Sequence, residues 1–314
     1  VNKKIALLLC LTLLLTGCGS SQPTPLPPTP LPPTVTPMAT RTAVPTATLG
    51  EPTATPEPTA TASPPASFAF RTVDKINYSL DPTKPLLAAL WLPQGKHYDA
   101  AVLLVHGGGL TSGNRLQLIA WAEGLARGGY VILSVDYPLQ PAAKLAEQVT
   151  AVRQGLAYLQ RNAKQFGINP AKVAIQGHSA GAVLGGAVFV TPGDEQAAAF
   201  FGFYGVYSSD PALLNPGQSG QNDGSQADST ALATNAPGPV ILWHGTADST
   251  TRWQQSEAFA QALQAAGKDV TFYKLQGEEH GFDFATNGSL SEQGQVALSQ
   301  VLDALASKLS PVYR

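Results

Sequence analysis

Val173-Ala174-Ile175-Gln176-Gly177-His178-Ser179-Ala180-Gly181 decides how the rest of the chain reads, because an apolar strand runs straight into a Gly-His-Ser-Ala-Gly turn. The small and apolar residues that follow, through Phe189, recur at helical spacing. A serine on a sharp strand-to-helix turn projects its hydroxyl out of the sheet, and glycines two before and two after it let neighbouring backbone approach without a Cβ in the way. The helix N-terminus behind it favours developing negative charge. The pentapeptide alone is also met as a plain tight turn. The strand before it and the helix after it give Ser179 the context of a nucleophile elbow.

Outward from that stretch, apolar runs of strand length alternate with longer helical patterns. Strands are predicted over 68–78, 86–92, 101–105, 130–135, 172–176, 199–204, 239–243 and 270–275. Helices are predicted over 116–127, 144–166, 180–189, 254–266 and 291–309. The first two strands read as an antiparallel pair, and the unbroken Ala101-Val102-Leu103-Leu104-Val105 is the kind of strand buried on both faces. The alternation implies an α/β fold, a mostly parallel eight-stranded sheet with helices on both faces. Residues 206–237 break the pattern, being rich in Gln, Ser, Asn, Asp and Gly, and are expected to form a long loop and a candidate mobile lid.

A hydroxyl attacks poorly unless a base takes its proton, so Ser179 demands a histidine on a later loop. Five histidines are available. His97 reads as an exposed loop residue, His178 points away as the serine's neighbour, His106 opens a glycine run, and His244 reads as structural. His280 follows the last strand on the carboxyl side of the sheet, the side of Ser179. The base needs a carboxylate to fix its tautomer, and Asp248, in the loop after the seventh strand, fits. Asp136 precedes the serine, while Asp283, Glu278 and Glu279 lie too near His280 in sequence to orient it naturally. The order Ser179, Asp248, His280 is that of α/β hydrolases. His106-Gly107-Gly108-Gly109 follows a strand with side-chain-free backbone, so the amides of Gly108, Gly109 and Ala180 are candidate donors to an oxyanion. No zincin-spaced His/Glu pair, Walker loop or basic stripe interleaved with aromatics is present, so no cofactor, no metal and no nucleic-acid partner are expected.

Together, His106-Gly107-Gly108-Gly109, Gly177-His178-Ser179-Ala180-Gly181, His244-Gly245-Thr246-Ala247-Asp248 and His280-Gly281-Phe282 resemble the bacterial hormone-sensitive-lipase and BD-FAE-type esterases over nearly all of residues 68–314. Asn162 and Phe166, with Gly167-Ile168-Asn169-Pro170 before the elbow strand, are similar too. The resemblance implies a serine carboxylic ester hydrolase acting through an acyl-enzyme on short-chain or aryl esters. A prolyl-oligopeptidase-type peptidase shares the triad order, and a catalytically silent surface binding module is the non-enzymatic alternative. Two positions depart from the pattern: Leu110 stands where many relatives carry an aromatic residue, and Pro138 where arginine is common. Both are expected to border the pocket.

Composition sets the outer limits. The 314 residues are 44% hydrophobic and 13% charged with a formal net charge of -2, which excludes a polytopic membrane protein and a basic nucleic-acid binder. Val1-Asn2-Lys3-Lys4, an apolar run from Ile5 and Leu15-Thr16-Gly17-Cys18 read as a signal peptide over 1–18. The last four residues resemble a bacterial lipobox, which implies lipid on Cys18; ordinary secretion with a free cysteine is the alternative. More than half of the 26 prolines lie between Pro23 and Pro65, so 19–66 is expected to be a disordered Pro/Thr-rich stalk and 67–314 the catalytic domain. The expectation is an exported protein anchored in the membrane through Cys18, acting outside the cytoplasmic membrane on small-molecule or polysaccharide-linked esters. With Cys10 and Cys18 both in the leader, the domain has neither disulfide nor thiol nucleophile.

Overall fold

A computed structural model of the protein describes residues 67–215 and 228–314. The leader at 1–18 with Cys18, the stalk at 19–66 and the middle of the polar stretch lie outside the described residues. The strands are β1 (Phe70–Asn77), β2 (Leu87–Pro93), β3 (Ala101–Val105), β4 (Val131–Val135), β5 (Val173–His178), β6 (Ala199–Phe203), β7 (Val240–Gly245) and β8 (Val270–Leu275). The helices are α1 (Ile119–Arg127), α2 (Leu145–Arg161), α3 (Ala163–Phe166), α4 (Ala180–Val190), α5 (Gln254–Ala265) and α6 (Glu292–Leu309). All eight strands join one sheet in the order β1-β2-β4-β3-β5-β6-β7-β8. β2 pairs antiparallel with β1 and β4, and every pairing from β4 to β8 is parallel. The carboxyl ends of the parallel strands therefore share one rim.

Strand alternation divides the core. Leu103, Val105, Leu133 and Ile175 point to the face covered by α2, α4 and α5, while Val102, Leu104, Ile132 and Ala174 point to the face covered by α1 and α6. All five residues of β3 are buried, and each large side chain buried in this way contributes about 1.5–3 kcal/mol. Helix α4, which begins at the elbow, is apolar all round and buried along its whole length. That suits a helix lying under others rather than on the surface. Its Gly185 sits tight on the sheet, where a Cβ would lie 2.8 Å from Ile175 Cγ2.

Four expectations change in detail. The first helix starts at Ile119, because Asn114 folds the preceding residues into a turn by accepting the Leu116 amide on its side chain and the Gln117 amide on its carbonyl. The predicted helix over 144–166 breaks at Asn162, whose side chain donates to the Tyr158 carbonyl at 2.8 Å, and α3 ends on Gly167 in the left-handed region. The flanks of the polar stretch are packed rather than lid-like: Val206, Tyr207, Ser208, Ser229, Ala233 and Ala236 are buried, and the amides of Tyr207 and Ser208 donate to Gln255 Oε1. His97 is half-buried instead of exposed, since its backbone pairs with that of Arg314.

Candidate active site

Ser179, between β5 and α4, has φ 53° and ψ -119°, a left-handed conformation rare outside glycine. Such strain costs on the order of 1–3 kcal/mol and persists only where packing over-determines it. The packing is visible in the flanking glycines. A Cβ on Gly177 would lie 2.3 Å from the Gly181 carbonyl oxygen, and one on Gly181 would lie 2.0 Å from that of Val105. The Ser179 amide donates to Phe203 O at 2.9 Å, tying the turn to β6.

Ser179 Oγ lies 2.9 Å from His280 Nε2, and His280 Nδ1 lies 2.8 Å from Asp248 Oδ2. The sheet brings the three residues together from the loops after β5, β7 and β8. With a carboxylate on Nδ1, that nitrogen carries the proton and Nε2 is left to accept the one on Ser179. Asp248 is heavily supported. Its Oδ1 accepts the amides of Thr250 at 2.9 Å and Thr251 at 2.8 Å, and its Oδ2 also meets His244 Nε2 at 3.1 Å. Burial pushes its carboxyl up, but hydrogen bonds from His244, His280 and the Thr251 amide outweigh that and hold it far below the usual carboxylate range. His244 Nδ1 lies 2.8 Å from Ser256 Oγ, so the carboxylate is braced from the core side.

The glycine run curls over the elbow. Gly108 has φ 111° and Gly109 φ 61°, and a Cβ on Gly108 would lie 2.1 Å from Ser112 O. The Gly108 carbonyl is turned into its own loop, accepting the Ser112 amide at 3.0 Å and the Ser112 hydroxyl at 2.9 Å. Among the described residues the amides of Gly108 and Gly109 donate to no backbone or side-chain acceptor, and the Ala180 amide heads α4, where no intrahelical partner exists. All three residues line the cavity over Ser179.

Several residues hold this loop through contacts that the sequence does not announce. Leu110 adopts φ 67°, and its carbonyl accepts from the Gln140 amide and from buried Gln148 Nε2, each at 2.9 Å. Arg115 bridges Asp74 at 2.7 Å and Asp136 at 2.8 Å, which gives Asp136 a structural task away from His280. His106 is buried, with Nδ1 2.7 Å from the Gly107 carbonyl and its ring stacked on Tyr137; burial lowers its pKa. The i, i+4 spacing of His244 and Asp248 was the one local clue to their contact.

The cavity over Ser179 measures about 340 Å³ and is walled by Leu110, Leu118, Val183, Val206 and Phe284. Among the described residues no Lys, Arg, Asp or Glu lines it. Leu110 borders it as expected. Pro138 does not: it lies in a separate groove with Pro85 and Ala142, because its carbonyl is drawn to Gln148 Nε2. Among the described residues no three His, Cys, Asp or Glu side chains gather as metal ligands, and no helix is long and apolar enough to cross a membrane.

Sheet order, elbow and cavity at the carboxyl rim define the α/β-hydrolase fold. The BD-FAE family model matches residues 89–201, from β2 through the elbow into β6. The chain is 27% identical over 209 residues to the probable carboxylic ester hydrolase LipM of Mycobacterium tuberculosis, covering 57% of this chain and 48% of LipM. It is 26% identical over 255 residues to esterase LipC of the same organism, covering 70% and 60%. The chain thus spans about half to three fifths of the length of these curated relatives. Among solved structures, the Thermogutta terrifontis esterase Est2 superposes with a TM-score of 0.62 at 22% identity, over 78% of this chain and 94% of that one.

Proposed function

We propose that this protein is a serine carboxylic ester hydrolase, and the observation that carries the reading is the continuous relay from Ser179 through His280 to Asp248 at 2.9 and 2.8 Å. His280 Nε2 takes the hydroxyl proton as Ser179 Oγ bonds to the ester carbonyl carbon. The carbonyl oxygen becomes an oxyanion held by the amides of Gly108, Gly109 and Ala180. Asp248 stabilises the imidazolium, which then protonates the leaving alkoxide as the C–O bond breaks. Water repeats the sequence on the acyl-enzyme, giving the carboxylic acid and free Ser179. The described lining of the cavity, uncharged and largely apolar, suits short-chain or aryl esters and disfavours charged acyl groups.

The location belongs to the same proposal: export with lipid on Cys18 puts the domain outside the cytoplasmic membrane, facing small-molecule or polysaccharide-linked esters. A fluorophosphonate probe, followed by peptide mapping and a panel of p-nitrophenyl, feruloyl and acetyl-sugar esters beside prolyl-p-nitroanilides, tests the reading. Labelling on Ser179 with ester turnover is expected. Anilide turnover exceeding ester turnover would instead indicate a peptidase, and a folded protein left unlabelled a binding module.

A further inference from the structure

Asp283 is a fully buried carboxylate outside the relay. Leaving such a group unpaired costs several kcal/mol, and here three donors surround it. Trp121 Nε1 donates to Oδ2 at 2.7 Å, the Tyr204 hydroxyl donates to Oδ1 at 2.6 Å, and His178 Nδ1 lies 3.1 Å from Oδ2. The partners come from α1, from the residue after β6 and from the residue beside the nucleophile. Gln176 Nε2 sits 2.9 Å from His178 Nε2, which leaves Nδ1 to carry the proton toward Asp283. Burial, and then the charge of Asp283, push the Tyr204 phenol well above its usual value, so it stays a donor.

The loop bearing His280 needs such a fastening. It follows β8, an edge strand with no fully buried residue. His280 is flanked by Gly277 at φ 79° and Gly281 at φ 74°, neither of which has anything within 4 Å of where its Cβ would be. The bond to Asp248 orients the imidazole, and the loop's near side is held to the loop after β7, with the Gly277 amide donating to Thr246 Oγ1 at 2.8 Å and the Glu278 carbonyl accepting the Ala247 amide at 3.0 Å; the far side, past Gly281, needs its own tie. Three residues after His280, Asp283 ties it to the elbow, and the Asp283 carbonyl accepts the Ser291 amide at 3.0 Å at the far end of the loop. Tyr204 links both carboxylates: its ring lies 4.6 Å from the His280 ring, its hydroxyl holds Asp283, and its carbonyl lies 3.1 Å from Thr251 Oγ1, itself 3.0 Å from Asp248 Oδ2.

We propose that Asp283 is a positioning residue of the hydrolytic site, fastening the His280 loop to His178 and Tyr204 so that His280 Nε2 stays within reach of Ser179. This rests on the ester-hydrolase reading of the same site. Asp283→Asn keeps the shape but turns one acceptor into a donor facing a donor; Tyr204→Phe removes one hydroxyl. In the full chain each is expected to lower kcat for p-nitrophenyl acetate by about 10- to 100-fold per Ser179 titrated with fluorophosphonate, an effect the size of an outer hydrogen-bond partner's loss, with KM within twofold. Lys172→Met is the structural comparison. It strips the ammonium from Asp99, an equally buried carboxylate 3.3 Å away at the opposite rim, and is expected to lower Tm while leaving kcat per titrated site unchanged. Folded Asp283 and Tyr204 variants with wild-type kcat per site, or a Lys172→Met loss equal to theirs, overturn the proposal. If Asp283→Asn does not fold, Tyr204→Phe decides. If the wild type neither labels nor turns over any ester, the hydrolase reading fails, and imidazole NMR of His280 tests the fastening by itself. A single narrow resonance that doubles or broadens in the variants supports it, and an unchanged one overturns it.

Discussion

His244 Nε2 lies 3.1 Å from Asp248 Oδ2, so the carboxylate that faces His280 is gripped from behind by a second imidazole four residues earlier in the chain. Because the acid is shared, its charge is held by hydrogen bonds on two sides as well as by the Thr251 amide. The pH behaviour follows. The folded carboxyl ionises below its unfolded value of about 3.9, so the stability it contributes is complete above that pH and is lost as pH falls through the lower, folded value. Asp248 therefore adds no limb to kcat/KM above about pH 4. A wild-type kcat/KM profile flat from pH 5 to 9 under chemistry-limited conditions would contradict the base assignment.

Ser179 sets chemistry against backbone comfort. Its φ of 53° favours glycine, so Ser179→Gly should abolish turnover while raising stability by about 1 kcal/mol, within the range of such strain. Urea unfolding of the two proteins side by side gives the comparison, and a destabilised glycine variant would show that the elbow is not strained.

Gly108 has room for its amide but none for a methyl group. A Cβ 2.1 Å from Ser112 O must displace the loop, and losing one oxyanion donor costs roughly 100- to 1,000-fold in rate. Gly108→Ala should therefore fall within that range in kcat, with KM changed far less. Steady-state kinetics on p-nitrophenyl acetate decide, and a loss carried mainly by KM would argue that Gly108 binds rather than stabilises charge.

His106 couples the glycine loop to acidity. Burial lowers its pKa below the unfolded value of about 6.5, so its contribution is intact above that pH and declines as pH falls toward the folded value. Replacing it with Gln should flatten the fall in unfolding free energy between pH 7 and 5. An unchanged slope would mean that another group drives the loss.

Val206 walls the cavity beside Leu110 and Val183. Val206→Phe should cut hexanoate turnover at least about tenfold relative to acetate, since a filled apolar pocket rejects added methylenes at 1–3 kcal/mol each. Equal losses on both chain lengths would place the acyl group elsewhere.

Much of this was legible because it is local. The central strands announced themselves as apolar runs, and Ser179, Asp248 and His280 stand in short motifs at strand ends, where topology alone delivers them to one rim. The supporting shell was not legible. Trp121 and Asp283 are separated by 162 positions, and Tyr204 and Asp283 by 79; no spacing rule links such pairs. Nearness misled for Asp283, rightly set aside as the orienter of His280 yet bonded to the histidine beside the nucleophile. The break at Asn162 escaped notice because apolar periodicity runs through it while a side chain ends the helix.

Ser179 rides on a strand sunk in the middle of the sheet, whereas its base hangs beyond the border strand β8. Warming should loosen the border first, since local opening needs far less free energy than melting the interior. Heat would then silence the molecule while most of it is still intact, and cooling would restore it without any refolding of the centre.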